Sequence, residues 1–361
     1  MSNRFSRARN IPRKEAEMAR HLDTVLPPAK ILASAANGVI DAIQSNNGDI
    51  DGIFGRAGIH KDDLDNPFNE LNLRQFCQLF EEAAAQTGND NFGLQFGASY
   101  QPKQLGAIGY AAISTPTLAA AIHTLEKYFP AHQGHSSFRV VEDKGVLWLS
   151  YRVFDQRVKH LRQDAELSMA VFVNIFRHAL GKAWCPLEVC FEHGRPDGAK
   201  EHSRCFGAPT EFSRRTNAIA FRRSDLAAPM PSCDPHLFAL IEPFLKSRCE
   251  WSARSMDFSS IVREQIKLNL VDNDASPKKI SEVLGLSKHA FKERLKTNHV
   301  TFQDLLRAAR QELALHYLKD PDIPLTEVAM CLGYSELSAF SRAFRSWTGF
   351  SPRKYRRMSK R

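Results

Sequence analysis

Two stretches decide the fold of the C-terminal part of this 361-residue chain: SPKKISEVLGLSKHAFKERLK at residues 276–296 and LTEVAMCLGYSELSAFSRAFRSWTGFSPRKYR at residues 325–356. Each places apolar residues at helical spacing, breaks at Leu-Gly, and resumes helical spacing after a Ser. In the first, Ile280, Val283 and Leu284 precede Gly285, Leu286 and Ser287, and Phe291 and Leu295 follow. In the second, Val328 and Leu332 precede Gly333, Tyr334 and Ser335, and Phe340 and Phe344 follow. The Gly pair and the Ser pair are each 48 residues apart, whereas Phe291 and Phe340 are 49 apart, so the second turn is one residue longer. A Gly free to take positive φ, a Ser to cap the next helix and apolar residues on both helices define a helix-turn-helix. A single match is weak; two in tandem are far more specific. The stripe Phe302, Leu305, Leu306, Ala309, Leu313 and Tyr317 predicts a long helix over 302–318 that fixes their spacing.

Charge follows the same division. Basic residues outnumber acidic ones six to two over 1–20 and 19 to 12 over 255–361, whereas 24 basic face 26 acidic residues over 21–254. The net charge of +9 therefore sits in a short head and a C-terminal block, the footprint of a polyanion-binding module joined to a near-neutral body. Residues 1–25 read as a mobile basic tail. Composition is ordinary for a globular protein, with 43% hydrophobic and 25% charged residues, which excludes wholesale disorder. No apolar run is long enough for a membrane span or signal peptide, so a cytoplasmic protein without membrane partner is expected. Seven cysteines without a CxxC pair argue against a disulfide framework or thiolate zinc site.

Residues 26–250 read as an α+β domain. Helical periodicity is expected over Ile31–Ile43, Leu73–Thr87, Leu118–Phe129 (with Thr115 as N-cap and Pro116 at N1), Asp164–Ala183 and from Pro235 to about Trp251. Alternation over Ser137–Val141 and Val146–Val153 around the turn Glu142-Asp143-Lys144-Gly145 predicts a hairpin, and Leu187–Phe191 and Ala218–Phe221 read as strands. The loss of strand signal at about 250–257 marks the boundary to an all-α domain, 257–357. There, helix-turn-helix units at about 277–298 and 325–348 are joined by the linker helix.

The two signature stretches resemble the AraC/XylS family of bacterial transcription regulators over the whole of 257–357. More loosely, ISTPTLAAAIHTLEKYF (113–129), FEHGRPDG (191–198), FGAPTEFSRRTNAIAF (206–221) and APMPSCDPHL (228–237) are similar to the effector-binding half of one AraC-type branch. The resemblance implies an effector-responsive regulator that binds double-stranded promoter DNA, contacts RNA polymerase, and acts as an activator and a homodimer.

With Phe291 and Leu295 inward, the outward residues of the first recognition helix expected to read bases are His289, Lys292 and Glu293; in the second they are Ser338, Ser341 and Arg342, positions that also match those through which the family reads bases. Lys288, Lys296, Arg345, Arg353, Lys354 and Arg356 are expected on phosphates. Arg342 carries the most information, since a guanidinium can pair bidentately with guanine. Glu293 stands where many family members have Arg; it is suited to cytosine N4 or to pairing with a neighbouring Lys, the second being slightly favoured. Two recognition helices on one chain should enter major-groove segments about one helical turn (~34 Å) apart.

The middle of the chain carries no GxSxG, GxGxxG, P-loop or HExxH motif, so no catalytic residue, cofactor or metal is assigned. His132 and His135 form an HxxH without a carboxylate motif, and His193 and His202 stand nearby in sequence. An effector pocket is expected around the hairpin, from Tyr110, His132, Phe138, Trp148 and Tyr151, for an amino acid, amine or related metabolite. The rival reading is an enzyme domain fused to a DNA-binding module.

Overall fold

The computed structural model describes residues 28–359 apart from 156, 256–257, 271–273, 285 and 319–322, and without the side chains of 251–255 and 359. The expected basic tail and Gly285 lie outside the described residues.

The first strand, β1 (Lys30–Leu32), pairs antiparallel with β2 (Glu70–Asn72), bringing Ile31 opposite Leu71. A 3-10 turn, α1 (Val39–Ser45) and α2 (Ile50–Ala57) lie between them. A helix expected over Ile31–Ile43 is therefore a strand, a turn and a short helix. Gly38 at φ 87° breaks the helical path, and a strand partner 40 residues away leaves no trace in local periodicity.

Asn72 caps α3 (Leu73–Thr87) by accepting from Arg74 N at 2.9 Å, and Gly88 ends it at φ 66°. Two short helices follow, α4 (Phe92–Ser99) and α5 (Ala107–Ile113), and then α6 (Leu118–His132). The cap of α6 is Thr117, not Thr115. Thr115 donates its hydroxyl to Ala112 O at 2.7 Å, while Thr117 accepts from Ala120 N at 3.3 Å.

The main sheet contains β3 (Ser136–Asp143), β4 (Val146–Val153), β5 (Glu188–Cys190), β6 (Thr210–Glu211) and β7 (Asn217–Phe221), ordered β3-β4-β7-β5-β6. Only β5 and β6 pair in parallel. Lys144 and Gly145 both have positive φ, as a two-residue hairpin turn requires. The helices α7 (Arg162–Leu180), α8 (Ala199–Phe206) and α9 (Pro235–Ser255) complete this α+β part.

No strand follows among the described residues. The helices are α10 (Phe258–Leu270), α11 (Pro277–Val283), α12 (Lys288–Thr297), α13 (Phe302–Tyr317), α14 (Leu325–Cys331), α15 (Leu337–Thr348) and α16 (Pro352–Ser359). Apolar side chains form two cores, one from Ala29 to Leu245 and one from Val262 to Phe344 that also takes in Phe154. Strand alternation explains that crossing. On β4 the odd positions Leu147, Leu149, Tyr151 and Val153 enter the first core; the even face points the other way, so Arg152 and then Phe154 meet the C-terminal helices.

Candidate nucleic-acid interface and buried cavity

The first helix-turn-helix is capped at both helices. Ser276 accepts from Lys279 N at 3.2 Å with Pro277 behind it, and Ser287 accepts from Ala290 N at 3.2 Å. Phe291 and Leu295 are buried against the helices around them, with Phe291 6.0 Å from Phe258 and 6.2 Å from Phe302 between ring centres. The opposite face of α12 leaves Lys288, His289, Lys292, Glu293 and Lys296 exposed. Lys278, Lys288, Lys292 and Lys296 line an open groove of about 900 Å³ beside this helix, with no acidic side chain among its walls. The slightly favoured pairing of Glu293 with a neighbouring lysine is not formed: its carboxylate has no ion pair among the described residues.

In the second unit Gly333 adopts φ 72° between α14 and α15. The N-cap position of α15 falls on Glu336 rather than Ser335, because the extra residue of the turn lies just before the helix, and the Glu336 side chain makes no capping hydrogen bond. Glu336 accepts from the Ser338 hydroxyl at 2.9 Å. Phe340 and Phe344 are fully buried, Ser338, Arg342 and Arg345 are exposed, and Ser341 is half-buried. Neither Arg342 nor Arg345 has an acidic partner among the described residues. On α16, Arg353 and Lys354 are exposed while Arg356 is half-buried.

The long helix α13 ties the two units together. Phe302, Leu305, Ala309, Leu313 and Tyr317 are buried along one stripe. From its side, Arg310 donates to Leu332 O at 2.9 Å and Gly333 O at 3.3 Å and lies 4.6 Å from the Tyr334 ring centre. It thus holds the turn of the second unit, a role no local pattern signals. Arg310→Ala is expected to destabilise the protein by about 2 kcal/mol, the scale of charged hydrogen bonds to carbonyls plus the ring contact. A urea titration would read it; an unchanged midpoint would show that the turn holds without Arg310.

Polar contacts among the described residues join the sheet to these helices. Arg152, on β4, hydrogen-bonds the Tyr317 hydroxyl of α13 and pairs with Glu192. Burial is the largest single influence on Arg152 and opposes its charge, but its neighbours, Glu192 foremost with Tyr317 and Cys331, together outweigh that and keep it charged. Arg215 pairs with Glu327 of α14 at 2.9 Å, and Arg139 of β3 donates to Leu268 O of α10 at 2.7 Å.

On the other side of the sheet lies a small cavity of about 30 Å³ lined by buried residues. Phe76, Tyr100, Phe129 and Phe172 supply aromatic walls, and His132, Gln133, Asp164 and Ser168 the polar ones. Of the five residues expected to line an effector pocket, His132 is on its wall, and Tyr151 donates to Asp164 Oδ2 at 2.9 Å. Phe138 packs behind, against Phe129 and Phe172. Trp148 is half-buried on the opposite face of β4, and Tyr110 is exposed on α5, so neither joins this group. Asp164 and Gln133 were not legible as pocket residues; Asp164 reads in sequence as an ordinary first-turn acid.

The two histidines near each other in sequence, His193 and His202, meet the fully buried Glu166, at 3.5 and 2.9 Å, with Arg162 on the same oxygen at 2.8 Å. No group of three side chains suited to a metal ion occurs among the described residues.

An α+β domain with a small buried-walled cavity, followed by two helix-turn-helix units on a shared helix with basic outer faces, defines a DNA-binding transcriptional regulator with an effector domain. Residues 48–230 match the family described as the arabinose-binding domain of AraC transcription regulator, N-terminal, and residues 280–358 match a helix-turn-helix domain family; the chain belongs to the AraC family. It is similar to the ornithine utilization regulator of Pseudomonas aeruginosa, with 26% identity over 89% of this chain and 94% of that one. It is also similar to the HTH-type transcriptional regulator VirS of Mycobacterium tuberculosis, 24% identical over 79% of this chain and 84% of the relative. The crystal structure of the transcriptional regulator CdpR from Pseudomonas aeruginosa aligns over 73% of this chain and 86% of that one, at 19% identity and a TM-score of 0.38. These relatives are regulators rather than enzymes. No described helix is long and apolar enough to cross a membrane.

Proposed function

We propose that residues 257–357 form the DNA-binding domain and recognise an operator half-site of two boxes roughly 10 bp apart. His289, Lys292 and Glu293 read bases in one box and Ser338, Ser341 and Arg342 in the other. Lys288, Lys296, Arg345, Arg353, Lys354 and Arg356 neutralise phosphates, Arg356 with less reach than the exposed five. Residues 26–250 bind a small effector and pair two copies of the chain. The chain acts in the cytoplasm as an activator through contact with RNA polymerase, and its similarity to the ornithine utilization regulator favours an amino acid or amine as effector.

The observation that carries this reading is the exposed, basic outer face of two helix-turn-helix units fixed to one helix, α13. Coupling to the effector runs through β4. Tyr151 faces the cavity domain's core and Arg152, the next residue, holds Tyr317 of α13. A ligand that moves Tyr151 therefore biases the seating of the linker helix, shifting the population of DNA-competent arrangements.

Phosphate contacts have a distinct signature. Arg353→Ala and Lys354→Ala are each expected to reduce the slope of log affinity against log salt by about 0.9 while weakening all duplexes alike. An unaltered slope would remove them from the phosphate set. For the whole reading, promoter occupancy should change when a metabolite binds the full chain; occupancy independent of every bound metabolite would contradict effector control.

A further inference from the structure

We propose that the small cavity beneath the sheet takes a small organic cation, an ammonium or amidinium group, on the Asp164 carboxylate. This deepens, and rests on, the reading of residues 26–250 as an effector domain.

Asp164 is 2% exposed at the first turn of α7 and forms part of the cavity wall. Its hydrogen-bond partner is a neutral one: the Tyr151 hydroxyl donates to it, and that hydroxyl in turn accepts from Gln133 Nε2 at 2.7 Å. No lysine or arginine pairs with Asp164 among the described residues. A carboxylate in such surroundings is costly unless a proton or a cation joins it. His132 reaches the same cavity, and its Nδ1 has no hydrogen-bond partner among the described residues. The remaining walls are mostly apolar, with the rings of Phe76, Tyr100, Phe129 and Phe172 suited to cation–π contact. Within the small cavity an anion would face the Asp164 carboxylate with no lysine or arginine on the walls; Lys30, Lys127 and Arg248 stand farther out, on the adjoining cleft, together with Glu70 and Glu264.

The inner space of about 30 Å³ holds a charged head and not a whole metabolite. Ile31, His132 and Gln133 also border a larger cleft of about 420 Å³, which runs between β1, the end of α6 and α10. The rest of the ligand extends into it.

Protonation provides an independent signature. Burial raises the Asp164 carboxyl to about 7, Glu81 of α3 adding to the effect, so near neutral pH a proton competes with a cationic ligand. The other groups facing it do not reverse this. Burial lowers His132 of α6 to about 4, leaving it neutral, and pushes Tyr151 of β4 and Cys77 of α3 well up, leaving them neutral too. Glu81, itself raised by burial, carries the same sign as Asp164 and strengthens the pull on a cation.

The test uses the full chain in thermal melts and calorimetry at pH 6 and pH 8, with n-butylamine, putrescine and L-ornithine against butyrate and glucose. At least one amine should raise the melting temperature and bind about 10-fold more tightly at pH 8, as expected for a site ionising near 7. Asp164→Asn should weaken that amine at least ~30-fold, and Tyr151→Phe, which removes the hydrogen bond to Asp164, should weaken it less. The Asp164→Asn protein should melt no lower than the parent at pH 8. The raised carboxyl is destabilising fully above about 7 and not at all below its unfolded value, and the amide removes that penalty. Amine binding that is equal at both pH values, or unaffected by Asp164→Asn, would overturn the proposal, as would no amine binding at all. Butyrate or glucose binding with Asp164→Asn unaffected would overturn it while leaving the effector reading intact; operator occupancy that ignores ligands of every charge class would remove both.

Discussion

Arg342→Ala should lower affinity for the preferred duplex by about 10- to 100-fold and relax base choice within one box only. The expected loss follows from a bidentate guanidinium–guanine pair, worth about 1–3 kcal/mol of discrimination. Arg342 sits on the exposed face of α15, with Phe340 and Phe344 fully buried on the other, so truncating it leaves the helix seated. It has no acidic partner among the described residues, so its charge is available to DNA. Selection of preferred sequences by the variant, set beside the parent, measures the effect. Uniform weakening on every sequence would make Arg342 a phosphate contact instead.

Arg152→Ala should destabilise the chain by about 3 kcal/mol, the low end for breaking a buried ion pair, since Glu192 retains 18% side-chain exposure. The change takes the Arg152 guanidinium away from both the Glu192 carboxylate and the buried Tyr317 hydroxyl. Adding Glu192→Gln to Arg152→Met should recover part of that loss, because a removed pair costs less than a broken one. Tyr317→Phe is milder for stability, about 1 kcal/mol, but it cuts the same link from the α13 side. Its expected result is a ligand effect on operator affinity that shrinks toward none while ligand binding persists. A ligand effect of undiminished size would show that coupling runs elsewhere, through Arg215–Glu327 or Arg139–Leu268.

What the sequence reveals depends on range. The ends of α3, the hairpin at Lys144-Gly145, the capping serines Ser276 and Ser287 and the stripe of α13 follow from interactions within a few residues, and all are legible from spacing. The repeat even discloses the longer second turn, although the register of identical serines points to Ser335 where the N-cap position falls on Glu336. Long-range features escape such reading. Lys30–Leu32 is a strand only because Glu70–Asn72 lies beside it. Asp164 becomes a cavity residue because β4 and α6 bring Tyr151, Gln133 and His132 to α7 from elsewhere in the chain. The expected pocket drew Tyr110 and Trp148 in by residue type, yet strand alternation turns Trp148 away and α5 leaves Tyr110 exposed.

On the proposed reading, one chain carries two base-reading helices held at fixed spacing by α13. Selection of the full-length protein on a random duplex library, followed by hydroxyl-radical footprinting of the winners, measures that spacing. Two conserved blocks with centres about 10 bp apart, protected on one face of the duplex, are expected. A single conserved block, or binding without sequence enrichment, would contradict it.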